Sequence, residues 1–561
     1  MSKVKNSKMP DLSITKVERI RYRATPNDRC AEVIEFGTLK GRERIELPAS
    51  IVSDKNALYK RLRDACAVFP RDKKWQDHLD GVAARNPGKE KVFEAKAGWS
   101  PDRKYFVRVN GAIGKTPYPI LGVNLDSFGL KGRQAVAGTY STWRNTVGRH
   151  AGLSSTLMMA ASAAFAAPLL AIAGERSFAL CMFARTHSGK TIATTVAGSI
   201  IGLGTRDEML DWDITDASLG QRLPEYNDAI FPIDDLQRLR DRDKYPRVRS
   251  LAYTLAGGSG TSRHSSYNRT QNLADERWRS IVLTSNEFSI QEMARRFKME
   301  RQGGELARLI DVPVLDSSAA HIFDRATDFG SDLEVWKAQT FKKIATACAN
   351  HHGAVFSEYI KSLLKLGARL QGIVENDMAV FRANVTRRSD DDIVRSLASK
   401  FGLLYAGGKL AIRADLVPWR ETALLDAISK CYRRAISLMP NDEVCLEDGL
   451  DRLAKKLASL PVIGPDVPFD RATCNQIDGY RTKTWGERVP YLIKKKAFNA
   501  IFDGPYQRGL VEEKLIDDGH LTTKENDATA PKDQFFWCDG KRRHALEIHW
   551  IDNSRPKMIA F

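Results

Sequence analysis

The feature that most constrains this chain is an apolar run, Ser177 to Phe183, that breaks into Ala184-Arg-Thr-His-Ser-Gly-Lys-Thr191 and resumes as helix-compatible sequence. A buried strand that turns through a short loop into a helix gathers backbone N–H groups and a helix N-terminus around one point, which makes a cradle for phosphate. The spacing predicts a phosphate-binding loop made of Ala184, Arg185, Thr186, His187, Ser188, Gly189, Lys190 and Thr191. In it Lys190 reaches the β- and γ-phosphates and the Thr191 hydroxyl coordinates Mg²⁺, so the expected ligands are ATP and Mg²⁺. The first position departs from GxxxxGK[ST]: Ala184 replaces glycine and gives up its freedom to adopt positive φ.

A Gly-Lys-Thr triplet is short, and its weight depends on the apolar runs downstream of it. Ala229-Ile-Phe-Pro-Ile-Asp-Asp235 is an apolar run closing on two carboxylates. This pattern suits a buried strand whose tip carries Asp234 to hold Mg²⁺ and Asp235 to polarise the attacking water. A third apolar run, Ser280-Ile-Val-Leu-Thr-Ser-Asn286, ends in polar residues, where an additional-strand ATPase places the sensor that orients water against the γ-phosphate. Asn286 is the first candidate and Ser285 the second. In this order and spacing the three runs predict an α/β P-loop NTPase core.

The intervening sequence resembles the bacterial and phage family catalogued as domain of unknown function 927, helicase-like AAA+ ATPases related to replication initiator helicases of mobile elements. The resemblance rests on Ala97-Gly-Trp-Ser100, Trp212-Asp-Ile-Thr-Asp-Ala217, Asn227-Asp228, Leu255-Ala-Gly-Gly-Ser-Gly260 and Gly304-Glu-Leu-Ala-Arg-Leu-Ile-Asp-Val-Pro313. Phe401 to Ala411 and Leu416 to Trp419 resemble the family's helical extension, so the likeness covers roughly residues 90 to 435. It implies a hexameric ring in which Arg308, at the start of the strand Leu309 to Val314, reaches into the neighbouring subunit's γ-phosphate; Arg295 and Arg296 are the alternatives. Three positions depart from the family pattern. Ala184 stands for glycine, Asp235 for the second acid Glu, and Thr261 for a lysine. Catalytic geometry is sensitive to shifts of about 1 Å, so the shortened Asp235 leaves slow hydrolysis open.

Charge fits a partner rich in phosphate. With 87 Lys and Arg against 69 Asp and Glu, the formal net charge is +18, which favours nucleic-acid binding through counterion release. Between the second and third apolar runs, Gly257 to Arg269 is rich in Gly and Ser and carries Arg263, Tyr267 and Arg269. Such a loop, projecting into a ring's channel, would hold phosphates and stack on bases of single-stranded or forked DNA; the alternative is a surface loop with incidental charge. The run Lys494 to Lys496 reads as a solvated helix face.

The length gives room for three or four domains. The expected division is an N-terminal α+β domain (1–145), the AAA+ core (146–316), a helical extension (317–440) and a C-terminal domain (441–561). The first shows short alternating strands at Val17 to Arg23, Cys30 to Phe36 and Arg42 to Leu47, then a helix near Lys55 to Phe69. The extension shows helical periodicity over Leu333 to Asn350, Val355 to Leu370 and Glu421 to Leu438. The last domain reads as two helices, Trp485 to Phe502 and Gly509 to Gly519, followed by a strand pair at Phe535 to Cys538 and His544 to Trp550. That pattern is a winged helix or an interaction domain.

Residues 153 to 173 are the most apolar stretch and long enough to raise a membrane span. Alanine dominates, Pro168 interrupts, and the family resemblance places a buried helix here, so no membrane partner is expected. Met1 to Leu12 is charged and lacks an apolar core, which predicts a cytoplasmic protein. The eight cysteines form no CxxC pair and read as reduced thiols. His351 and His352 are adjacent and, on a helix, would point about 100° apart, which suits solvated or capping roles better than a ligand pair.

The combined expectation is an ATP-dependent DNA motor, a ring-forming helicase in replication of a phage or mobile element. An AAA+ ATPase that loads or remodels a protein partner, including in phage defence, and a nucleotide-binding scaffold with weak hydrolysis are the alternatives.

Overall fold

The structure is a computed structural model that describes residues 14–23, 28–69, 75–84, 90–123, 134–213, 215, 219, 222–239, 244–257, 278–299, 301–315, 321–328, 332–387, 390–439, 442–463, 477–482, 489–502, 505–521, 523–524, 527–531, 534–538 and 541–550. It divides into two compact units, Met1–Leu438 and Met439–Phe561.

The first unit begins with an antiparallel meander of β1 (Thr15–Tyr22), β2 (Arg29–Thr38) and β3 (Gly41–Pro48). Ile34, Phe36 and Leu47 on one face pack on Leu58 and Leu62 of the helix Lys55–Asp64 and on Leu79 and Val82 of Trp75–Ala84. The helix expected to reach Phe69 ends at Asp64, and Cys66 takes a left-handed conformation (φ 62°). Next come β4 (Lys91–Glu94), β5 (Gly98–Trp99), β6 (Tyr105–Arg108), β7 (Gly111–Gly114) and β8 (Ile120–Val123). β4 and β8 extend the meander in the order β3-β2-β1-β4-β8, and β5-β6-β7 form a small antiparallel sheet.

The centre of this unit is a parallel sheet of β9 (Phe178–Phe183), β10 (Leu210–Asp211), β11 (Ala229–Asp234), β12 (Ser280–Asn286) and β13 (Leu309–Pro313), in the order β10-β11-β12-β9-β13. Strands covered on both faces read as unbroken apolar runs, and every residue of β11 and β12 is buried.

The apolar stretch becomes the helix Ser155–Ala166, capped by the Ser154 hydroxyl accepting from Leu157 N–H, and all its residues are buried. Pro168 sits in a 3₁₀ turn, Ala167–Leu169, that re-aims the chain before the short helix Leu170–Ala173. Ser155–Ala173 is long and apolar enough to span a membrane, yet 89% of its most apolar 18-residue window is buried inside the fold. It packs on the sheet and on the helices Lys190–Ile201, Asp392–Arg413 and Glu421–Ile436, and a helix enclosed on all sides is apolar all round. The helices Leu333–Asn350, Ala354–Leu366 and Arg369–Val385 complete the layer; the expected helix Val355 to Leu370 is divided at Gly367. His352 is buried, its Nδ1 3.1 Å from Cys348 O, so it is a core residue and not a solvated one.

In the second unit, β14 (Val462–Ile463), β15 (Gly479–Thr482), β16 (Val489–Lys494), β17 (Thr523–Lys524), β18 (Asp527–Pro531), β19 (Gln534–Cys538) and β20 (Lys541–Trp550) form a five-stranded sheet, β14-β15-β16-β20-β19, and a β17-β18 ribbon. The expected strand pair is present, and the helix expected at Gly509 to Gly519 runs from Pro505 to Asp517. The expected helix Trp485 to Phe502 is not. Residues 489–494 are β16, antiparallel to β20, and only Lys495–Asn499 is helical. Tyr491 and Ile493 alternate into a core with Leu546 and Ile548, and Pro490, which has no N–H, does not suit a helix interior. Lys494 ends that strand, its ammonium on Ile477 O at 2.6 Å, so only Lys495 and Lys496 of the basic run are helical.

Candidate functional site

Because the central strands are parallel, their C-terminal ends share one edge. Register sets Asn286 of β12 beside Phe183 of β9, and Asp234 of β11 beside Asp211 of β10. Ligands bind at this edge of open α/β sheets.

The loop from Ala184 to Gly189 leaves β9 there and enters the helix Lys190–Ile201. The two left-handed residues of this loop are His187 (φ 62°) and Gly189 (φ 99°), and Ala184 is not among the positive-φ residues. The departure from glycine at position 184 therefore imposes no backbone strain. Glycine is needed at 189 instead: a Cβ there would stand 3.0 Å from Ile322 Cγ2 and from Phe341 Cε1. Lys190 Nζ donates to Ala184 O at 2.5 Å and Arg185 O at 2.9 Å. Partial burial pulls the Lys190 ammonium below its ordinary range, opposed by the carboxylates of Glu287, Asp234 and Asp235. Arg185, Thr186 and His187 are exposed and Ser188 is buried.

Asp234 is 3% exposed and collects hydroxyls: Ser285 Oγ donates to Oδ1 at 2.6 Å and Thr191 Oγ1 to Oδ2 at 3.4 Å. Arg206 Nε lies 3.1 Å from the same Oδ2. Asp235 turns into the left-handed region (φ 61°, ψ 79°) and caps the 3₁₀ turn Leu236–Arg238, accepting from Gln237 N–H at 3.2 Å. Its Oδ2 lies between Arg206 Nη2 (3.9 Å) and Arg238 Nε (3.8 Å), and Arg238 also pairs with Asp211 at 2.9 Å. Asn286 is 1% exposed; its amide donates to Phe288 O at 2.8 Å, while its Oδ1 is buried and has no partner among the described residues. Ser188 Oγ is orphaned in the same way.

The structure thus brings Lys190, Thr191, Asp234, Asp235, Ser285 and Asn286 to one edge. It does not bring Arg308 there. Arg308 precedes β13, whose Leu309 pairs with Ala179 and whose Pro313 pairs with Phe183, so a strand length of roughly 15 Å separates it from the loop. It donates to Gly304 O and lies 5.1 Å over the Tyr253 ring. Arg296 is held by Glu292 at 3.1 Å and lies 4.0 Å over the Phe288 ring; Arg295 closes the same short helix, Ile290–Arg296, and is exposed. Arg263, Tyr267 and Arg269 lie outside the described residues.

Sequence reasoning missed Arg206, Glu287 and Gln237. Glu287 had a signal, since it directly follows Asn286. Arg206 had none, because it stands in a 3₁₀ turn, Arg206–Glu208, that belongs to no motif. The segments quoted for the family resemblance acquire contacts: Trp212 Nε1 donates to Thr284 Oγ1 at 2.8 Å. At the opposite edge of the sheet, Asn227 Nδ2 donates to Ala97 O at 2.8 Å and Trp99 N–H to Asp228 Oδ2 at 3.2 Å.

Among the described residues no group of three His, Cys, Asp or Glu side chains forms a metal cage. A divalent ion that binds through one or two protein oxygens and the phosphates needs none. Thr191, Asp234 and the two orphaned oxygens fit such an ion and a phosphate chain.

The family model described as Domain of unknown function (DUF927) matches residues 29–275, somewhat under half of the chain. It supports that family over β2 and β3 of the meander, the phosphate loop and β11, beginning upstream of the expected start and ending before β12. No curated protein sequence matches. Of the solved structures, "SCCmec type IV Cch - active helicase" superposes with a TM-score of 0.60 at 14% identity, covering 96% of this chain and 93% of that one. A second, "The A form apo structure of NrS-1 C terminal region-CTR", aligns at 10% identity over 74% of this chain and 91% of that one with a TM-score of 0.23, too low to support a common fold. The mixed α/β architecture around a parallel sheet is therefore shared, at the level of fold, with that helicase.

Proposed function

We propose that the chain is an ATP-dependent DNA motor, a ring-forming helicase acting in replication of a phage or mobile element. The observation that carries this reading is the convergence of Lys190, Thr191, Asp234 and Asn286 on one sheet edge, with the buried oxygens of Asn286 and Ser188 left open there. In this reading the backbone of Ala184 to Gly189 and the Lys190 ammonium hold the phosphates of ATP, and Thr191 and Asp234 hold Mg²⁺. The metal would neutralise charge developing on the transferred phosphoryl group. Asn286 orients water, and Ser285 fixes the Asp234 carboxylate. The strand bearing Asn286 lies between β9 and β11, which supports the additional-strand, AAA+ type of core for residues 146–316, with 317–440 as its helical extension.

Arg308 stands too far from its own loop to serve it. Its half-buried position at the start of β13, away from its own loop, suits a charge offered to the site of a neighbouring copy, as in a hexameric ring. The likeness to an active helicase and the net charge of +18 support DNA, single-stranded or forked, as the partner.

Asp235 favours a second reading. Its carboxylate is already engaged by a backbone N–H and faces two arginines, which fits a nucleotide-gated scaffold that hydrolyses slowly. ATP turnover by the full chain, with and without single-stranded and forked DNA, separates the two. The motor requires turnover raised severalfold by DNA, abolished in Lys190→Ala and strongly reduced in Arg308→Ala. Binding of ATP without turnover would overturn it in favour of the scaffold.

A further inference from the structure

Glu287 leaves the tip of β12 beside the loop. Asn286 O accepts from Ala184 N–H at 3.4 Å, so the residue after it emerges against the loop's first turn. Its Oε1 accepts the Thr186 hydroxyl at 2.6 Å. That hydrogen bond holds the carboxyl below its usual range, with the Gln237 side chain as a second donor. The Thr186–Glu287–Gln237 chain therefore ties together the middle of the loop, the end of β12 and the turn after β11.

Glu287 is exposed, and its carboxylate, with those of Asp234 and Asp235, opposes the effect of burial on the Lys190 ammonium. Lys190 meanwhile spends its donors on the loop's own carbonyls. The loop is thus closed on itself, with a fixed negative charge beside the cation that would receive phosphate.

We propose that Glu287 is a specificity-determining residue of the nucleotide site, a carboxylate tied across the phosphate loop that weakens binding of the triphosphate more than of the diphosphate. The inference rests on the nucleotide-site reading above. A nucleoside triphosphate brings an additional charged group to the Lys190 end of the loop, and like charges in a partly solvated site repel over several ångströms. The penalty therefore grows with the number of phosphates and is screened by salt. Gln at this position keeps one oxygen to accept from Thr186 and removes the charge together with the second acceptor oxygen.

The test is equilibrium titration of the full-length protein with fluorescent analogues of ATP and ADP at low and high salt. Glu287→Gln is expected to tighten ATP about three- to tenfold and ADP by less, the gap narrowing as salt rises. Glu287→Lys should tighten ATP further. Equal affinities of wild type and Glu287→Gln for ATP, with Lys190→Ala binding neither nucleotide, would overturn the role of Glu287 and leave the site intact. Absence of nucleotide binding by wild type itself would overturn the site and this inference together.

Discussion

Two aspartates frame β11, and both are buried beside an arginine. Asp228, just before the strand, is 1% exposed with Arg279 Nε at 3.1 Å; Asp234, at its end, is 3% exposed with Arg206 Nε at 3.1 Å. Burial and an ion pair therefore do not distinguish them. Their other partners do. Asp228 accepts the Trp99 backbone N–H and the Asn227 amide, and Asn227 holds Ala97 O and Arg279 N–H. Gly98 (φ 104°) lies so close that a Cβ would stand 2.3 Å from Asn227 Nδ2. That end is fixed by main chain and fastens the β5 segment to the sheet. Among the described residues Asp234 meets the hydroxyls of Thr191 and Ser285 and an arginine, groups that can turn toward a metal or phosphate without moving the backbone. One strand thus has an end that holds and an end that can exchange partners.

The largest effect expected of this contrast is on folding. Asp228→Ala would leave the Trp99 N–H and the Asn227 amide without their acceptor, while the half-exposed Arg279 guanidinium turns to water; donors left unsatisfied in this way cost about 1–3 kcal/mol. Denaturant unfolding of the full chain should show a loss of that order. A loss below about 1 kcal/mol would break the contrast, because Asp228 would then be no more structural than a surface ion pair.

A smaller effect concerns pH. Glu225, in the 3₁₀ turn Leu223–Tyr226 that leads into Asp228, is pushed up to about 7 by burial against the opposing pull of Arg222; Asp228 is raised in the same direction by burial, against Arg279. The folded state therefore keeps the Glu225 proton over a range in which the unfolded chain, titrating near 4.5, has lost it. Through this group stability falls as pH rises from about 4.5 to about 7. Melting temperatures across that range should slope downward in wild type, and the slope should flatten in Glu225→Gln; an identical slope in the variant would remove Glu225 from the account.

How much of this was legible in the sequence depends on what each element buries. β9, β11 and β12 stand where unbroken apolar runs place them, because strands covered on both faces need no polar residues until their tips. The helix Leu333–Asn350 matches its periodicity. Trp485 to Phe502 misleads because Tyr491, Ile493, Phe498 and Phe502 satisfy either period, and the partner that decides, β20, lies some fifty residues away. At the candidate site the motif residues are local in sequence, whereas Arg206 reaches Asp234 only through the tertiary fold. The backbone that turns Asp235 into the left-handed region is equally silent: nothing in an Asp-Asp pair tells which carboxylate will be spent on capping a turn.

The most direct measurement compares the exchangeable end with the fixed one: ATP turnover and melting temperature of Asp234→Asn beside wild type, with single-stranded DNA present. The expected result is a fold of near wild-type stability with turnover reduced about a hundredfold or more, the scale of losing a group that stabilises transition-state charge. Wild-type turnover in Asp234→Asn would contradict the assignment of this edge as the catalytic one.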